Sequence, residues 1–402
     1  MRSIEELVPR ALQADADGLR AVEATRLARW VVDTSQPWWR RTPCAAALAG
    51  RVPEEWFAEL SARAQDPQDT TEVRIAVLDV LSDRAELLPW LRHEDRRGES
   101  GHGMREAVLR ARGQLGDRSA APELATVAFS DSLRSERSGG SGLDALVERY
   151  GVEAIRADLG VARPEDRAAH LRLRAGAGED VADVLADPDP RVAFAAQEYM
   201  TDPGRVRAYL AEAPTVDAKL WAAFALYRLT EDLDETRALY ATLGSPRVEV
   251  PGLDEDVRRA IVHAYAPWGC TRGTDPRWRL EAVCTEPPAP VDQEAQLRRA
   301  VAALTAAGLA PQAPVPVGEY NQQGDGTYHV ILCGETEVFV STLGPFVTVT
   351  AGDESPAREA LRSAGLRWID PWDTTQVTGL HVYYFGGRAP RSVDTLLFHW
   401  QD

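Results

Sequence analysis

The chain has 402 residues, of which 44% are hydrophobic and 27% charged, and its formal net charge is −17. This composition is typical of water-soluble proteins, and no apolar run approaches the roughly 20 residues that span a bilayer. Because phosphate groups are bound mainly by Lys and Arg, the acidic balance disfavours general binding to nucleic acids or anionic membranes. It is compatible with a basic protein partner, or simply with solubility. The polar start carries no signal segment, so a cytoplasmic location is expected.

The first 66 residues are predicted to form irregular helices. Their apolar stripe lacks the acidic openings of the later helices, and atypical segments of this kind cap helical arrays. The cluster Trp38-Trp39-Arg40-Arg41 lies within them. It is either an aromatic and cationic contact patch or a pair of indoles packed in the cap, with the arginines stacked on them.

Two helix pairs are predicted next, at 71–90 and 104–128. The segment between them, 93–103, is polar and contains glycine, so an exposed loop is expected there. Serine and glycine dominate 130–142, which has almost no apolar residues. It is therefore predicted to be a flexible loop, with helices resuming at 143–159.

The clearest pattern covers 187–281, where an acidic turn followed by an apolar-striped helix and a partner helix occurs three times. The three openings are Asp187-Pro188-Asp189-Pro190-Arg191-Val192, Thr215-Val216-Asp217 and Asp254-Glu255-Asp256-Val257-Arg258. Since one helix pair cannot bury its apolar face alone, such pairs stack on their neighbours. The pattern predicts a mainly α protein built as a right-handed α-solenoid.

Three short segments resemble the openings of HEAT-like (ARM/HEAT-type) repeats, in which an acidic or proline-bearing turn leads into Val-Arg or Arg-Val. They are Glu72-Val73-Arg74, Pro190-Arg191-Val192 and Asp256-Val257-Arg258. The resemblance covers about 66–285 and implies a HEAT-like repeat domain over 1–285, with 1–66 as its cap. Arrays of this family mostly serve as scaffolds and protein-binding surfaces.

The composition changes after this region. A proline-rich linker is expected at 286–292, because consecutive prolines hold an extended backbone. The remainder, 293–402, is predicted to be a small α+β domain with an antiparallel sheet, and it resembles no family known to us. Its expected elements are a helix at 293–307, strands at 328–333, 336–341, 346–350, 380–385 and 393–400, and a helix between Ser355 and Gly365.

Four carboxylates at the second repeat, Glu231, Asp232, Asp234 and Glu235, form the first candidate site. They can receive arginine or lysine side chains from a partner. The alternative is an ordinary structural role, since acidic residues stabilise helix N-termini by roughly 0.3–1 kcal/mol each.

The second candidate site is a turn with two tryptophans, formed by Trp368, Asp370, Trp372 and Asp373. A tryptophan in a loop is often a binding anchor. The alternative is that this turn docks the C-terminal domain onto the last helices of the array.

No catalytic motif is present, and no cofactor or metal is predicted. His329 and Cys333 fall on one strand face, and with His381 and His399 they form the only metal-like set. Half-buried histidines are common in sheets, so a structural role is the simpler interpretation. The four cysteines form no C-x-x-C pair, which argues against a disulfide framework or a zinc ribbon.

The leading functional hypothesis is a non-enzymatic protein-interaction or scaffold module. Its acidic solenoid surface would bind a protein partner, for example a basic one such as a cognate toxin. One alternative is a relative of HEAT-like DNA-alkylation-repair glycosylases, which have tryptophans in a basic groove. Trp30, Trp38 and Trp39 would correspond to these tryptophans, but the basic charge of the groove is missing. Another is a small-molecule binding protein or enzyme, with a pocket in the C-terminal domain or near Trp268, Arg277 and Trp278.

Overall fold

The computed structural model describes residues 2–10, 13–97, 103–130, 133–267, 269–349, 356–371, 375–385 and 387–401. These residues are mainly helical, with a small mixed sheet near the C-terminal end. The chain divides into two compact units, Met1–Glu179 and Asp180–Asp402. Within the described residues, no helix combines the length and the apolar character required to cross a membrane.

The first unit consists of helices joined by short turns, and three single turns of 3-10 helix lead into α5, α7 and α9. The helices are α1 (Ile4–Leu7), α2 (Ala16–Arg20), α3 (Ala24–Val32), α4 (Trp38–Ala46), α5 (Phe57–Gln65), α6 (Thr71–Val80), α7 (Leu88–Arg97), α8 (Met104–Gln114), α9 (Ala121–Ala128), α10 (Leu133–Tyr150), α11 (Val152–Asp158) and α12 (Pro164–Gly176).

The flexible loop predicted over 130–142 is wrong from Leu133 onward, because α10 begins there. The glycines serve close packing between helices. A Cβ atom at Gly139 would lie 2.3 Å from the main-chain nitrogen of Ala128 in α9, and one at Gly113 in α8 would lie 2.6 Å from the carbonyl oxygen of Gly142. Only glycine allows backbones to approach this closely.

The exposed loop predicted over 93–103 is also wrong at its start. His93 lies within α7, which continues to Arg97. Residues 98–102 of the predicted loop lie outside the described part of the chain.

Asp117, just before α9, is a buried carboxylate held by two arginines and a serine. Arg92 donates two hydrogen bonds to it at 3.0 Å, Arg112 donates one at 2.9 Å, and the Ser119 hydroxyl donates one at 2.7 Å. Burial by itself would raise the pKa of the Asp117 carboxyl, but these hydrogen bonds outweigh it and hold the pKa well below its ordinary value. Asp117 therefore stays ionised under nearly all conditions.

The stability that Asp117 contributes is expected to depend on pH. A depressed pKa contributes stability above the unfolded-state value of about 4, and this stability is lost as the pH falls towards the folded-state value. The difference in unfolding temperature between the wild type and Asp117→Asn should be largest near pH 6 and shrink steadily from pH 4 to pH 2. A difference that stays constant over this range would show that the charge of Asp117 does not matter.

The second unit begins with a 3-10 turn, Ala182–Ala186, followed by helices that confirm the six helices expected over 187–281. The helices are α13 (Pro190–Tyr199), α14 (Pro203–Glu212), α15 (Val216–Thr230), α16 (Leu233–Thr242), α17 (Glu255–Tyr265), α18 (Pro276–Cys284), α19 (Gln293–Ala306), α20 (Val317–Tyr320), α21 (Pro356–Ser363) and α22 (Val393–Leu397).

A five-stranded sheet in the order β1-β3-β4-β5-β6 and a two-stranded sheet of β2 and β7 complete this unit. The predicted antiparallel sheet is corrected to a mixed one, because β5 and β6 run parallel. In the central hairpin Tyr328 pairs with Ser341 and Cys333 with Thr336. The strands are β1 (Val315–Pro316), β2 (Asp325–Gly326), β3 (Tyr328–Cys333), β4 (Thr336–Ser341), β5 (Phe346–Val349), β6 (Arg367–Trp368) and β7 (Trp400–Gln401).

The last two predicted strands are wrong. The segment 393–400 contains helix α22, which begins after Ser392, and only its final residue belongs to a strand. The segment 380–385 forms isolated bridges, including Val382 with Cys270, in place of a continuous strand. Within it, His381 bonds to Thr271 and Thr274 of the loop before α18, whereas the Tyr384 amide bonds to Gly387.

The core of the second unit extends across the predicted linker. One hydrophobic cluster contains Ile261 and Trp278 from the helical region together with Val330, Phe346 and Leu396 from the C-terminal region. The predicted domains 1–285 and 293–402 therefore do not coincide with the compact units, which divide after Glu179. The intervening 286–292 is mostly exposed but does not separate two cores.

Three buried arginines, two in the first unit and one in the second, share one arrangement. Each donates to the main-chain carbonyl ten positions earlier, at 2.8, 3.1 and 2.8 Å for Arg41, Arg74 and Arg258. Each also pairs with a carboxylate later in the chain, and these carboxylates are Asp69, Glu94 and Glu281. Because an unpaired charge is costly to bury, each of these contacts fixes the spacing of successive helical segments.

Candidate functional site

The predicted acidic run lies at the turn between α15 and α16, and half of it has a structural role. The carboxylate of Asp232 accepts from the Glu235 amide at 2.9 Å and so caps α16. Glu235 accepts two hydrogen bonds from Arg207, both at 2.8 Å, which lower its pKa. Glu231 and Asp234 are exposed and make no side-chain hydrogen bond or ion pair with the described residues. Two of the four carboxylates are thus open to a partner.

The tryptophan turn is only partly described. Trp368 lies in β6, partly buried, with the Arg358 guanidinium 5.3 Å from its ring centroid. Asp370 is exposed, and Trp372 and Asp373 lie outside the described residues. The one described tryptophan of this turn is therefore a packed residue.

The aromatic cluster of the first unit is built around Arg40. Its guanidinium lies 4.7 Å from the Trp39 ring and 5.9 Å from the Trp30 ring, whereas Trp38 remains 48% exposed. Arg40 and Trp39 therefore fit the structural interpretation of the cluster, whereas the exposed Trp38 does not.

The four residues of the metal-like set have different environments. The Nδ1 atom of His381 lies 2.7 Å from the carbonyl oxygen of Arg388, and Nε2 of His399 lies 3.3 Å from that of Tyr383. His329 and Cys333 are on β3, as expected. In the described part of the chain, no three His, Cys, Asp or Glu side chains are placed to hold a metal ion.

The outer surface is more acidic than the total charge indicates. Of the described residues, five arginines but only three carboxylates are buried. Their net charge is positive, so the remaining residues carry a net charge more negative than the −17 of the chain. The buried arginines are Arg41, Arg74, Arg112, Arg258 and Arg279, and the buried acids are Asp117, Asp166 and Glu281.

A cavity of about 390 Å³ in the second unit is lined by three aspartates and is here called the aspartate cleft. It lies where α13, α15 and α18 begin. Its lining includes the carboxylates Asp187, Asp217 and Asp275, together with Thr215, Trp221 and His381.

Two identical tripeptides contribute Pro190, Asp275 and Pro276 to the lining of this cleft. In Asp189-Pro190-Arg191 and Asp275-Pro276-Arg277 the aspartate accepts from the arginine amide at 2.9 Å and also from its guanidinium. Proline fits the first position of a helix, and a carboxylate favours the helix N-terminus. The capping role therefore explains why acids gather at this place, and each cap carries its own counter-ion.

Asp217 differs from the capping aspartates. It lies in the first turn of α15, is exposed, and makes no ion pair with the described residues. Trp221 lies one turn further along the same helix and lines the cleft, but it is only 2% exposed. The cleft thus combines an exposed carboxylate with apolar wall residues such as Pro188 and Ala218.

His381 has a fixed orientation at the edge of the cleft. Since a carbonyl oxygen only accepts, Nδ1 carries a proton in its contact with Arg388. The main-chain amide of His381 is held as well, because it donates to Thr274 Oγ1 at 3.0 Å. With its carboxylates, the cleft suits an ammonium or guanidinium group.

Part of this site was visible in the sequence. The repeated Asp-Pro-Arg tripeptide marks two of the helix starts, and Thr215-Val216-Asp217 marks the third. His381 could not be placed, because its contact with the loop before α18 joins segments more than 100 residues apart.

A scan against protein-family models found no match for this chain. Searches of the curated proteins and of the solved structures likewise found none.

Proposed function

We propose that this chain is a non-enzymatic protein-interaction module that binds a basic protein partner at the aspartate cleft. The observation that carries the proposal is the cavity itself, which is lined by the carboxylates of Asp187, Asp217 and Asp275 on a protein of net charge −17. At about 390 Å³ it has room for a lysine or arginine side chain. A cognate toxin with a cationic site is one partner of this chemistry.

One feature supports a lysine or arginine as the group that enters. Interfacial charge pairs give coupling energies of about 1.5 kcal/mol or more, and Asp217 is exposed and makes no ion pair with the described residues, although its charge also acts on Arg277. Glu231 and Asp234, on the same helical region, would add to long-range attraction.

The helix pairs are proposed to stack as a right-handed HEAT-like solenoid that presents this cleft. Support comes from the shared arrangement of Arg41, Arg74 and Arg258, each of which joins a carbonyl ten positions earlier to a later carboxylate. Recurring contacts between neighbouring segments are expected of stacked repeats.

The test is affinity capture from a lysate of the source cells, followed by measurement of the affinity of the captured partner. We expect one basic partner whose binding weakens at higher salt. Asp217→Asn should lower its affinity about tenfold, because it removes an exposed cleft carboxylate that makes no ion pair with the described residues.

Two further variants separate the candidate surfaces. Glu231→Gln with Asp234→Asn tests the acidic run, and Asp17→Asn, at a carboxylate 96% exposed in the first unit, is the matched control. If only the acidic-run variant loses binding, the interface lies at that run and not at the aspartate cleft. If no basic partner is captured, or if all variants bind as the wild type does, the proposal is wrong.

A further inference from the structure

A second cavity, of about 410 Å³, lies between α16, α17 and α18, and guanidinium groups line it together with carboxylates. It is here called the arginine pocket. Three guanidinium groups line it, those of Arg237, Arg247 and Arg259, and the apolar part of the wall comes from Tyr240, Val262 and Cys284.

Three carboxylates line this pocket beside the three guanidinium groups, those of Glu255, Glu281 and Glu286, but they are not evenly shared among the arginines. The guanidinium of Arg247 is paired with two carboxylates, since it donates to Glu281 at 2.7 Å and to Glu255 at 2.9 Å. Arg237 meets only Glu286, at 3.2 Å, and that carboxylate is 80% exposed. Arg259 makes no ion pair with the described residues.

The contacts of Arg259 are weak ones. It donates to the main-chain carbonyls of Glu286 and Pro287 at 3.4 and 3.3 Å. Such distances are at the outer limit of a hydrogen bond, so most of its donor capacity is unused. The lining cations and carboxylates balance at three each, so an incoming anion would bind through the unused donors of Arg259.

The rest of the wall is neutral. Tyr240 is buried and donates to the Pro246 carbonyl at 2.9 Å, and burial raises the pKa of its phenol well above the ordinary value. Burial likewise raises the pKa of the Cys284 thiol to about 11. Both side chains are therefore uncharged near neutral pH and present an apolar surface.

One edge of the pocket has an unfavourable backbone conformation. Ser245 has a φ angle of +46°, in the left-handed region that non-glycine residues avoid. It is held there by a hydrogen bond from its amide to the Tyr240 carbonyl at 2.9 Å. Strained residues of this kind cluster at binding sites.

We propose that the arginine pocket binds a small organic anion, one that carries a carboxylate or phosphate group on an apolar body. The guanidinium fork matches both groups with paired hydrogen bonds, and Arg259 and Arg237 have donors to supply. The wall of Tyr240 and Val262 covers the apolar body, as in ligand pockets generally. This site is separate from the aspartate cleft and needs no protein partner.

The test uses benzoate and phenyl phosphate as probes, with benzamide as the uncharged match for benzoate. Binding to the full chain is measured by titration calorimetry and by the shift in unfolding temperature. At least one anion is expected to bind with a stoichiometry of one, while benzamide does not. The anion with the lower Kd shows whether the pocket prefers a carboxylate or a phosphate group.

Variants locate the binding. Arg259→Gln should weaken the anion about tenfold, because it removes a charged donor. Arg298→Gln, at a 63% exposed arginine of α19, is the matched control and should change nothing. Ala241→Phe, at an exposed residue that lines the pocket, should block binding by filling it.

Three results would overturn the proposal. They are binding of benzamide as strong as that of benzoate, no binding of either anion at tens of millimolar, or equal affinity in the wild type and Arg259→Gln.

Discussion

Replacing Glu281 with Gln is expected to lower the free energy of unfolding of the second unit by about 3–5 kcal/mol. The side chain is 2% exposed and accepts from Arg258 at 2.7 and 2.6 Å and from Arg247 at 2.9 and 2.7 Å. Burial opposes its ionisation, but these guanidinium groups hold its pKa below the ordinary value. The amide would leave the buried Arg258 without a counter-ion.

The measurement is urea unfolding, together with hydrogen exchange of α17 and α18. Glu286→Gln, at an 80% exposed carboxylate nearby, is the control and should cost less than about 0.5 kcal/mol. The double variant Glu281→Leu with Arg258→Met should recover much of the loss, since an apolar pair removes both charges. Equal effects of the Glu281 and Glu286 substitutions would show that burial of this ion pair is unimportant.

Trp278→Ala is expected to cost a similar amount, about 3–5 kcal/mol, for a different reason. The indole is fully buried, its Nε1 donates to the Thr378 carbonyl at 3.0 Å, and the Arg258 guanidinium lies 4.2 Å from its ring. The substitution leaves a large cavity and releases the segment around Gly379, which is also held by the Asp275 amide at 2.9 Å.

Hydrogen exchange separates the two contributions of Trp278. In Trp278→Ala, exchange should increase in both α18 and the described residues 375–382. Trp278→Phe keeps most of the buried area but loses the donor, so it should cost less and affect mainly 375–382. If both variants leave exchange at 375–382 unchanged, the indole is not what anchors that segment.

Local sequence patterns predicted the elements whose stabilising contacts are local. The helices of 187–281 and the β3–β4 hairpin occur where apolar periodicity and capping residues placed them. The errors arose where contacts between residues far apart in the sequence determine the secondary structure. The glycines of α10 look like a loop in sequence, yet they allow contact with α8 and α9.

The candidate sites show the same limit. Asp217 and the two Asp-Pro-Arg caps could be read from helix-start signals. The aspartate cleft itself could not, because it needs His381 to meet a loop more than 100 residues earlier. The arginine pocket was hidden for another reason, since its cations are scattered singly among many arginines that pair internally.

One hydrophobic core contains residues from both sides of 286–292, so the chain cannot be shortened at this segment without exposing that core. Ending a shortened chain at residue 285, where composition suggests a border, would uncover Ile261 and Trp278 and leave β3 and β5 without the helices beneath them. Such fragments would carry fresh apolar surface and tend to aggregate. A cut between Glu179 and Asp180 leaves each core whole, so fragments for separate expression should begin or end there.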